Sequence, residues 1–175
     1  YDAGLLSLAA LKQETVPELI AHCRAVAELM PLMGFYLQPA VGGRLLPAGF
    51  WRQFAEIENV VAIKMAPFNR YQTFDVVRGV AEAGRAGDIA LYTGNDDNIL
   101  VDLLTRHVFH DGQREAPLQI VGGLLGQWAC WTRRAVEHLE MVRRIRETSA
   151  SIGPELLTLA SQLTLANKAI FDADN

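Results

Sequence analysis

The stretch that organises this chain is Asn-Val-Val-Ala-Ile-Lys-Met-Ala-Pro, residues 59–67. Its apolar run shows no polar alternation, which is typical of a strand buried on both faces of a parallel sheet. Lys64 interrupts the run near its carboxyl end. Lysine is rarely buried unless it is paired or functional. The position therefore predicts either a strand-end lysine that reaches out to solvent or a functional amine at the edge of a sheet.

Short apolar runs alternate with longer amphipathic ones on both sides of this stretch, which indicates repeated βα units and a parallel sheet. The predicted strands are Asp2–Ala10, Leu32–Gln38, Asn59–Met65, Asp88–Thr93 and Leu118–Leu125. The predicted helices are Thr15–Leu29, Pro47–Glu56, Asn69 or Thr73 to Gly84 or Gly87, Ile99–Phe109, Gln127–Thr148 and Glu155–Ile170. A doubly wound sheet and a barrel both satisfy this pattern, although five units cannot close an eight-stranded barrel.

Composition excludes several classes of function. Half of the 175 residues are apolar and the net charge is −4, so no clustered basic face for nucleic acid is expected. No apolar run reaches the roughly 18 residues that span a membrane. The distant Cys23 and Cys130 indicate reduced thiols and a cytoplasmic protein. A metal site is not expected, because His107, His110 and Asp111 have no further strong ligand nearby in sequence.

Lys64 has a specific chemical meaning if it lies at the carboxyl edge of the sheet, where parallel α/β folds hold their active sites. Burial disfavours the ammonium form and lowers the pKa of a lysine. The free amine can then attack a carbonyl and form an imine. A protonated imine withdraws electrons from the adjacent carbon, so it supports aldol chemistry with no metal or organic cofactor.

Tyr36 lies near the end of the preceding predicted strand. A phenol at that point can relay protons to the imine-forming carbon. The alternative is a half-buried aromatic whose hydroxyl is satisfied locally. Because neighbouring parallel strands end at the same edge, we expect the Tyr36 hydroxyl to face the Lys64 amine.

These residues resemble a known family. Tyr36 within Gly-Phe-Tyr-Leu-Gln-Pro (34–39), followed by Lys64 twenty-eight residues later, is similar to the dihydrodipicolinate synthase and N-acetylneuraminate lyase superfamily. Residues 88–100 resemble its seventh strand with a Gly-Asp turn, and residues 118–126 resemble its eighth. The resemblance implies a (β/α)₈ TIM barrel. Residues 1–150 would supply strands four to eight, with the first three units absent from this chain, and 151–175 a helical extension.

The resemblance also implies a class I Schiff-base lyase or aldolase acting on a small 2-oxo acid such as pyruvate. Lys64 would form the imine and Tyr36 would relay protons. Gly94 and Gly123 would line the pocket through their backbone, and Arg44 would bind a substrate carboxylate. Members assemble as homodimers or homotetramers, which is the expectation here.

Two departures from the family pattern widen the range of activities. The synthases carry a tyrosine pair after strand four, where this chain reads Ala9-Ala10-Leu11, which argues against the synthase reaction itself. Arg44 also comes later than the family arginine. The alternatives are a dehydratase of a sugar acid on the same scaffold and a non-catalytic relative that binds a metabolite.

Overall fold

A computed structural model describes residues 1–111 and 114–172 of the chain. It contains one six-stranded sheet in the order β1-β2-β3-β4-β6-β5. The strands are β1 (Gly4–Ser7), β2 (Leu32–Leu37), β3 (Val60–Ala66), β4 (Ala90–Thr93), β5 (Arg106–Asp111) and β6 (Arg114–Gly123). The first five strands of that order are parallel, and β5 pairs antiparallel with β6. The predicted α/β class is confirmed as a mostly parallel sheet with helices between its strands.

The helices are α1 (Val16–Ala27), α2 (Ala48–Ala55), α3 (Arg70–Glu82), α4 (Ile99–Leu104), α5 (Gly126–Cys130), α6 (Thr132–Thr148) and α7 (Pro154–Phe171). Helices α1 and α3 begin at capping residues that the sequence predicts, Thr15 and Asn69. The Glu18 carboxylate accepts a 2.7 Å hydrogen bond from the Thr15 backbone N–H, and the Asn69 side chain accepts from Gln72 at the start of α3. Among the helices that the structure describes, none is both long and apolar enough to cross a membrane.

Two predicted elements were wrong. The helix expected over Ile99–Phe109 ends at Leu104, because Thr105 adopts an extended backbone and the chain continues as strand β5. The helix expected over Gln127–Thr148 is two helices, because Trp131 leaves the helical conformation with φ −124° and ψ 51°. The second change matters for the site, since it creates the short helix α5 directly after β6.

The two faces of the sheet differ in what covers them. We call the face under the helices the covered face; it carries Tyr36, Met65 and Leu91, each 1% exposed or less, with the aromatic side chains of α2 packed nearby. The opposite, open face carries half-buried residues. Register aligns Phe35, Lys64 and Tyr92 across three neighbouring strands on it.

Helix α7 packs on α4 and α5 and fastens the turn after β4. The Asn167 side-chain amide donates a 2.6 Å hydrogen bond to the Asp96 carbonyl, and the Thr164 hydroxyl donates one of 2.7 Å to the Asp97 carbonyl. The sequence assigned this helix to a separate extension, 151–175, whose last three residues lie outside the described part. The boundary between 1–150 and the extension stays a prediction.

Candidate active site

Lys64 lies on β3, two residues before the end of the strand, on the open face. Its neighbours on that side of β3 are Ala62 and Ala66, whose methyl groups leave room for the long side chain. The Lys64 Nζ atom lies 4.5 Å from the centroid of the Phe35 ring on the adjacent strand. The amine is therefore held at the carboxyl edge of the sheet, half-buried and against an aromatic face.

The environment of Lys64 favours the neutral amine. Burial is the main cause, and it lowers the pKa of Lys64 below its ordinary value. The Asp96 carboxylate opposes this shift, and the Phe35 ring also favours the cation. The effect of desolvation is the larger one, which is the direction that an imine-forming lysine requires.

Gly94 is the predicted site residue that the structure brings to Lys64. Its backbone N–H donates a 2.6 Å hydrogen bond to the Met65 carbonyl at the end of β3. A Cβ at position 94 would lie 3.0 Å from Cε of Lys64 and 2.8 Å from Cβ of Ala66. Glycine is thus the residue that lets the turn after β4 pass close to the lysine stem.

Asp96 is a functional candidate that the sequence presents, together with Asp97, as part of a polar turn. Its residue is 8% exposed, and Oδ1 accepts a 3.1 Å hydrogen bond from the Gly126 N–H of α5. The pKa of the Asp96 carboxyl is raised, mainly by burial and to a smaller extent by the charge of the nearby Asp97. The hydrogen bond from Gly126 and the charge of Lys64 act in the opposite direction and lower the pKa. The signal was present in the sequence, because a Gly-Asn-Asp-Asp turn follows a strand at the same edge as Lys64.

A buried polar network holds this turn from behind. The Asp102 carboxylate, 1% exposed, accepts hydrogen bonds from the Thr93 hydroxyl at 2.6 Å and the Asn95 amide at 3.2 Å, and it pairs with Arg70. The side-chain Oδ1 of Asn95 accepts a hydrogen bond from the backbone N–H of Phe68, which has a left-handed φ of 53°. A satisfied network of this kind fixes the position of the turn that carries Asp96.

Tyr36 does not face Lys64. Successive residues of a strand point to opposite faces, and Phe35 is the residue in register with the lysine. Tyr36 is 1% exposed on the covered face, where its ring centroid lies 5.0 Å from that of Trp51. Its hydroxyl both donates to the Leu46 carbonyl and accepts from the Leu46 N–H, at 3.3 Å each. The expected contact between the Tyr36 phenol and the Lys64 amine is therefore absent. Burial also raises the pKa of the phenol above its ordinary value.

The other predicted site residues occupy two different places. Gly123 ends β6 in register with Thr93 at the same edge as Lys64, and a Cβ there would lie 3.0 Å from Leu125 and from Trp128. Arg44 instead donates hydrogen bonds to the backbone carbonyls of Leu11 and Glu14. Both carbonyls belong to the loop between β1 and α1. Arg44 therefore holds a loop, and the structure does not bring its guanidinium to Lys64.

Metal ligands do not assemble in the described part of the chain, where no three His, Cys, Asp or Glu side chains could together hold an ion. His107 is buried, and its ring lies edge-on to Phe74 with centroids 5.1 Å apart. The side chains of His110 and Asp111 lie outside the described residues.

Comparison with known proteins gives matches among solved structures alone, since no family model and no curated protein matches the chain. Dihydrodipicolinate synthase from the commensal bacterium Bacteroides thetaiotaomicron matches at TM-score 0.69 and 14% identity, over 96% of this chain and 49% of that one. A variant of the 2-keto-3-deoxygluconate aldolase of Sulfolobus solfataricus matches at TM-score 0.61 and 14% identity, over 93% of this chain and 45% of that one. The chain thus spans about half the length of these structures. One of these structures is a dihydrodipicolinate synthase, the enzyme that gives its name to the family that the sequence resembles, so the resemblance holds for the fold.

Proposed function

We propose that this chain forms strands four to eight of a (β/α)₈ barrel and acts as a class I Schiff-base lyase on a small 2-oxo acid. The observation that carries the proposal is Lys64, a half-buried amine at the carboxyl edge of the parallel strands, whose pKa is lowered mainly by burial. The solved structures that share the fold are named as a synthase and an aldolase, which supports a lyase activity. Residues 1–150 correspond to the barrel and α7 to its helical extension.

The proposed reaction begins when the neutral Nζ of Lys64 attacks the carbonyl carbon of the 2-oxo acid. Loss of water from the resulting carbinolamine gives the protonated imine. In a substrate with a hydroxyl on its fourth carbon, the bond between the third and fourth carbons then breaks. The hydroxyl gives its proton to the Asp96 carboxylate, the fourth carbon leaves as an aldehyde, and the electron pair of the broken bond forms an enamine with the imine carbon. Return of that proton to the third carbon and hydrolysis of the imine by water release the shorter 2-oxo acid and the free amine, so the cycle balances without a cofactor.

Proton transfers in this scheme are assigned to Asp96. Its raised pKa keeps a larger share of the carboxyl protonated, so it can supply the proton that leaves with the carbinolamine hydroxyl as water. The same carboxylate takes a proton back from water during hydrolysis. Tyr36 has no part in the proposal, since its hydroxyl is bonded to Leu46 on the other face of the sheet.

Trapping with borohydride tests the imine directly. The full chain is incubated with pyruvate and sodium borohydride, digested, and mapped by mass spectrometry. Lys64 should carry the reduced adduct, whereas Lys12 and the exposed Lys168, which pairs with Asp172, should not. Equal labelling of all three lysines, or none in a folded sample, would refute the proposal.

Product analysis then separates a lyase from a dehydratase. With a candidate sugar acid, cleavage of a carbon–carbon bond yields two fragments, and elimination of water yields one. The variant Lys64→Met is the control in both assays, since it removes the amine and keeps an unbranched side chain of similar length.

A further inference from the structure

A cleft of about 490 Å³ lies between α6 and α7, with α5 at its base. Its volume falls in the range of roughly 300–1,000 Å³ that small-molecule sites occupy. Neither Lys64 nor Asp96 lines it. The cleft is nevertheless close to the proposed active site, because Trp128 in its wall lies against Gly123 and α5 donates the Gly126 N–H to Asp96.

The walls of the cleft are mainly apolar and aromatic. Helix α7 contributes Leu159 and Leu163, which are four residues apart and so lie on one side of the helix. Trp128 and Trp131 line the cleft from α5 and from the start of α6. Two indole rings with aliphatic neighbours suit a flat aromatic group, which they can stack against, better than a phosphate.

Two polar groups in the walls lack partners. Gln127 is 3% exposed, and among the described residues its Nε2 finds no hydrogen-bond acceptor. The indole Nε1 of Trp128 is also buried and has no hydrogen-bond acceptor among the described residues. Buried donors are nearly always satisfied in folded proteins, so these two, on residues that line one cleft, are the donors that a bound ligand would satisfy.

Positive charge lines the α6 side. Arg134 donates to the Glu137 carboxylate through one nitrogen, at 2.7 Å, and Glu137 does not line the cleft. Further guanidinium N–H groups of Arg134 stay available to a ligand. His138 also lines the cleft. Burial is the main cause that lowers its pKa, so its neutral imidazole can donate one N–H at neutral pH.

We propose that this cleft binds a small aromatic carboxylic acid. The ring packs against the tryptophans and Leu163, and the carboxylate oxygens provide acceptors for Arg134 and for the two buried donors. This site is separate from the imine chemistry proposed for Lys64, and its ligand needs no carbonyl group.

The probe is 3-phenylpropionate, which cannot form an imine, titrated into the full chain by calorimetry and by tryptophan fluorescence. Arg134→Gln should weaken binding about tenfold, the loss expected for one charge-assisted hydrogen bond. Arg133→Gln is the matched control, because Arg133 also bonds Glu137 but is 92% exposed and does not line the cleft. Leu163→Trp should fill the cleft and abolish binding, while Lys64→Met should bind as the parent chain does.

Several results would overturn the site. They are no saturable binding up to the solubility limit of the probe, equal weakening by Arg133→Gln and Arg134→Gln, and loss of binding in Lys64→Met. Unchanged binding in a folded Leu163→Trp variant, checked by circular dichroism, would do the same. Equal affinity for the neutral 3-phenylpropanamide would remove the carboxylate from the proposal and so refute it.

Discussion

Two rows of side chains cross the same three strands, one on each face of the sheet. The open row holds Phe35, Lys64 and Tyr92, and the covered row holds Tyr36, Met65 and Thr93. Each residue of the open row is the immediate neighbour in sequence of a residue of the covered row. The open row holds the Lys64 amine, whose pKa is lowered by burial, whereas every residue of the covered row is 1% exposed or less. Because side chains alternate between the two faces of a strand, a shift of one residue separates the face proposed to carry the chemistry from the face that stabilises the fold. Substitutions in each row test that separation.

The largest expected effect is on stability, from the covered row. Met65→Ala should lower the free energy of unfolding by about 2–5 kcal/mol, since it truncates a fully buried side chain and leaves a cavity. Labelling of Lys64 by pyruvate and borohydride, per folded molecule, should change little. Val61→Ala on the same strand is the control; that side chain is 39% exposed, so its truncation should cost about 0.5 kcal/mol or less. Urea denaturation measures both, and equal losses in the two variants would contradict the burial of Met65 in the core.

Tyr36→Phe is the sharpest test of the covered row. It leaves the buried Leu46 N–H and carbonyl without the hydroxyl, so stability should fall by about 1–3 kcal/mol. The labelling rate of Lys64 should stay within about twofold of the parent value, the change expected when no contact to the reacting amine is lost. A large loss of labelling at unchanged stability would restore the proton relay that the sequence predicted for Tyr36.

Much of the fold could be predicted from the sequence, because the spacing of apolar residues and the helix-capping residues determine helices and strands through contacts between residues close in sequence. Thr15 and Asn69 cap helices as expected, and the five predicted strands all exist. Strand β5 was missed because Ile99–Leu104 begins a helical pattern that was extended too far. The sequence does contain a hairpin signal that follows this stretch, the Asp111-Gly112 dipeptide.

The candidate site was only partly predictable. Lys64 could be found because a lysine in an apolar strand is anomalous, and Gly94 because it follows a strand at the same edge. The pairing of Lys64 with Tyr36 could not be judged, since a spacing of twenty-eight residues does not tell which face each side chain takes. The register between β2 and β3 also shifts between Leu32 and Met33, and an irregularity of that kind has no clear signature in sequence.

Asp96→Asn changes the charge beside the open row. The Asp96 carboxylate raises the pKa of Lys64, so its removal should lower that pKa further and move the rising limb of the labelling profile to lower pH. The plateau should also fall, because the proposed proton donor is lost. Asn still accepts from the Gly126 N–H, and Asp97→Asn is the control at an exposed neighbour. If the rising limb of the labelling profile does not move, or moves to higher pH, the Asp96 carboxylate does not raise the pKa of the Lys64 amine.

The smallest expected effect tests the ring beside the amine. Phe35→Leu removes the aromatic face that lies 4.5 Å from Nζ and favours the cation by about 0.5–1 kcal/mol. The pKa of Lys64 should therefore fall, and labelling on the acidic limb should rise about two- to fivefold with an unchanged plateau. Phe35→Tyr keeps an aromatic face and should label at the parent rate. If both variants label at the parent rate, the ring does not act on the charge of Lys64, and the open row tunes its amine through burial and Asp96 alone.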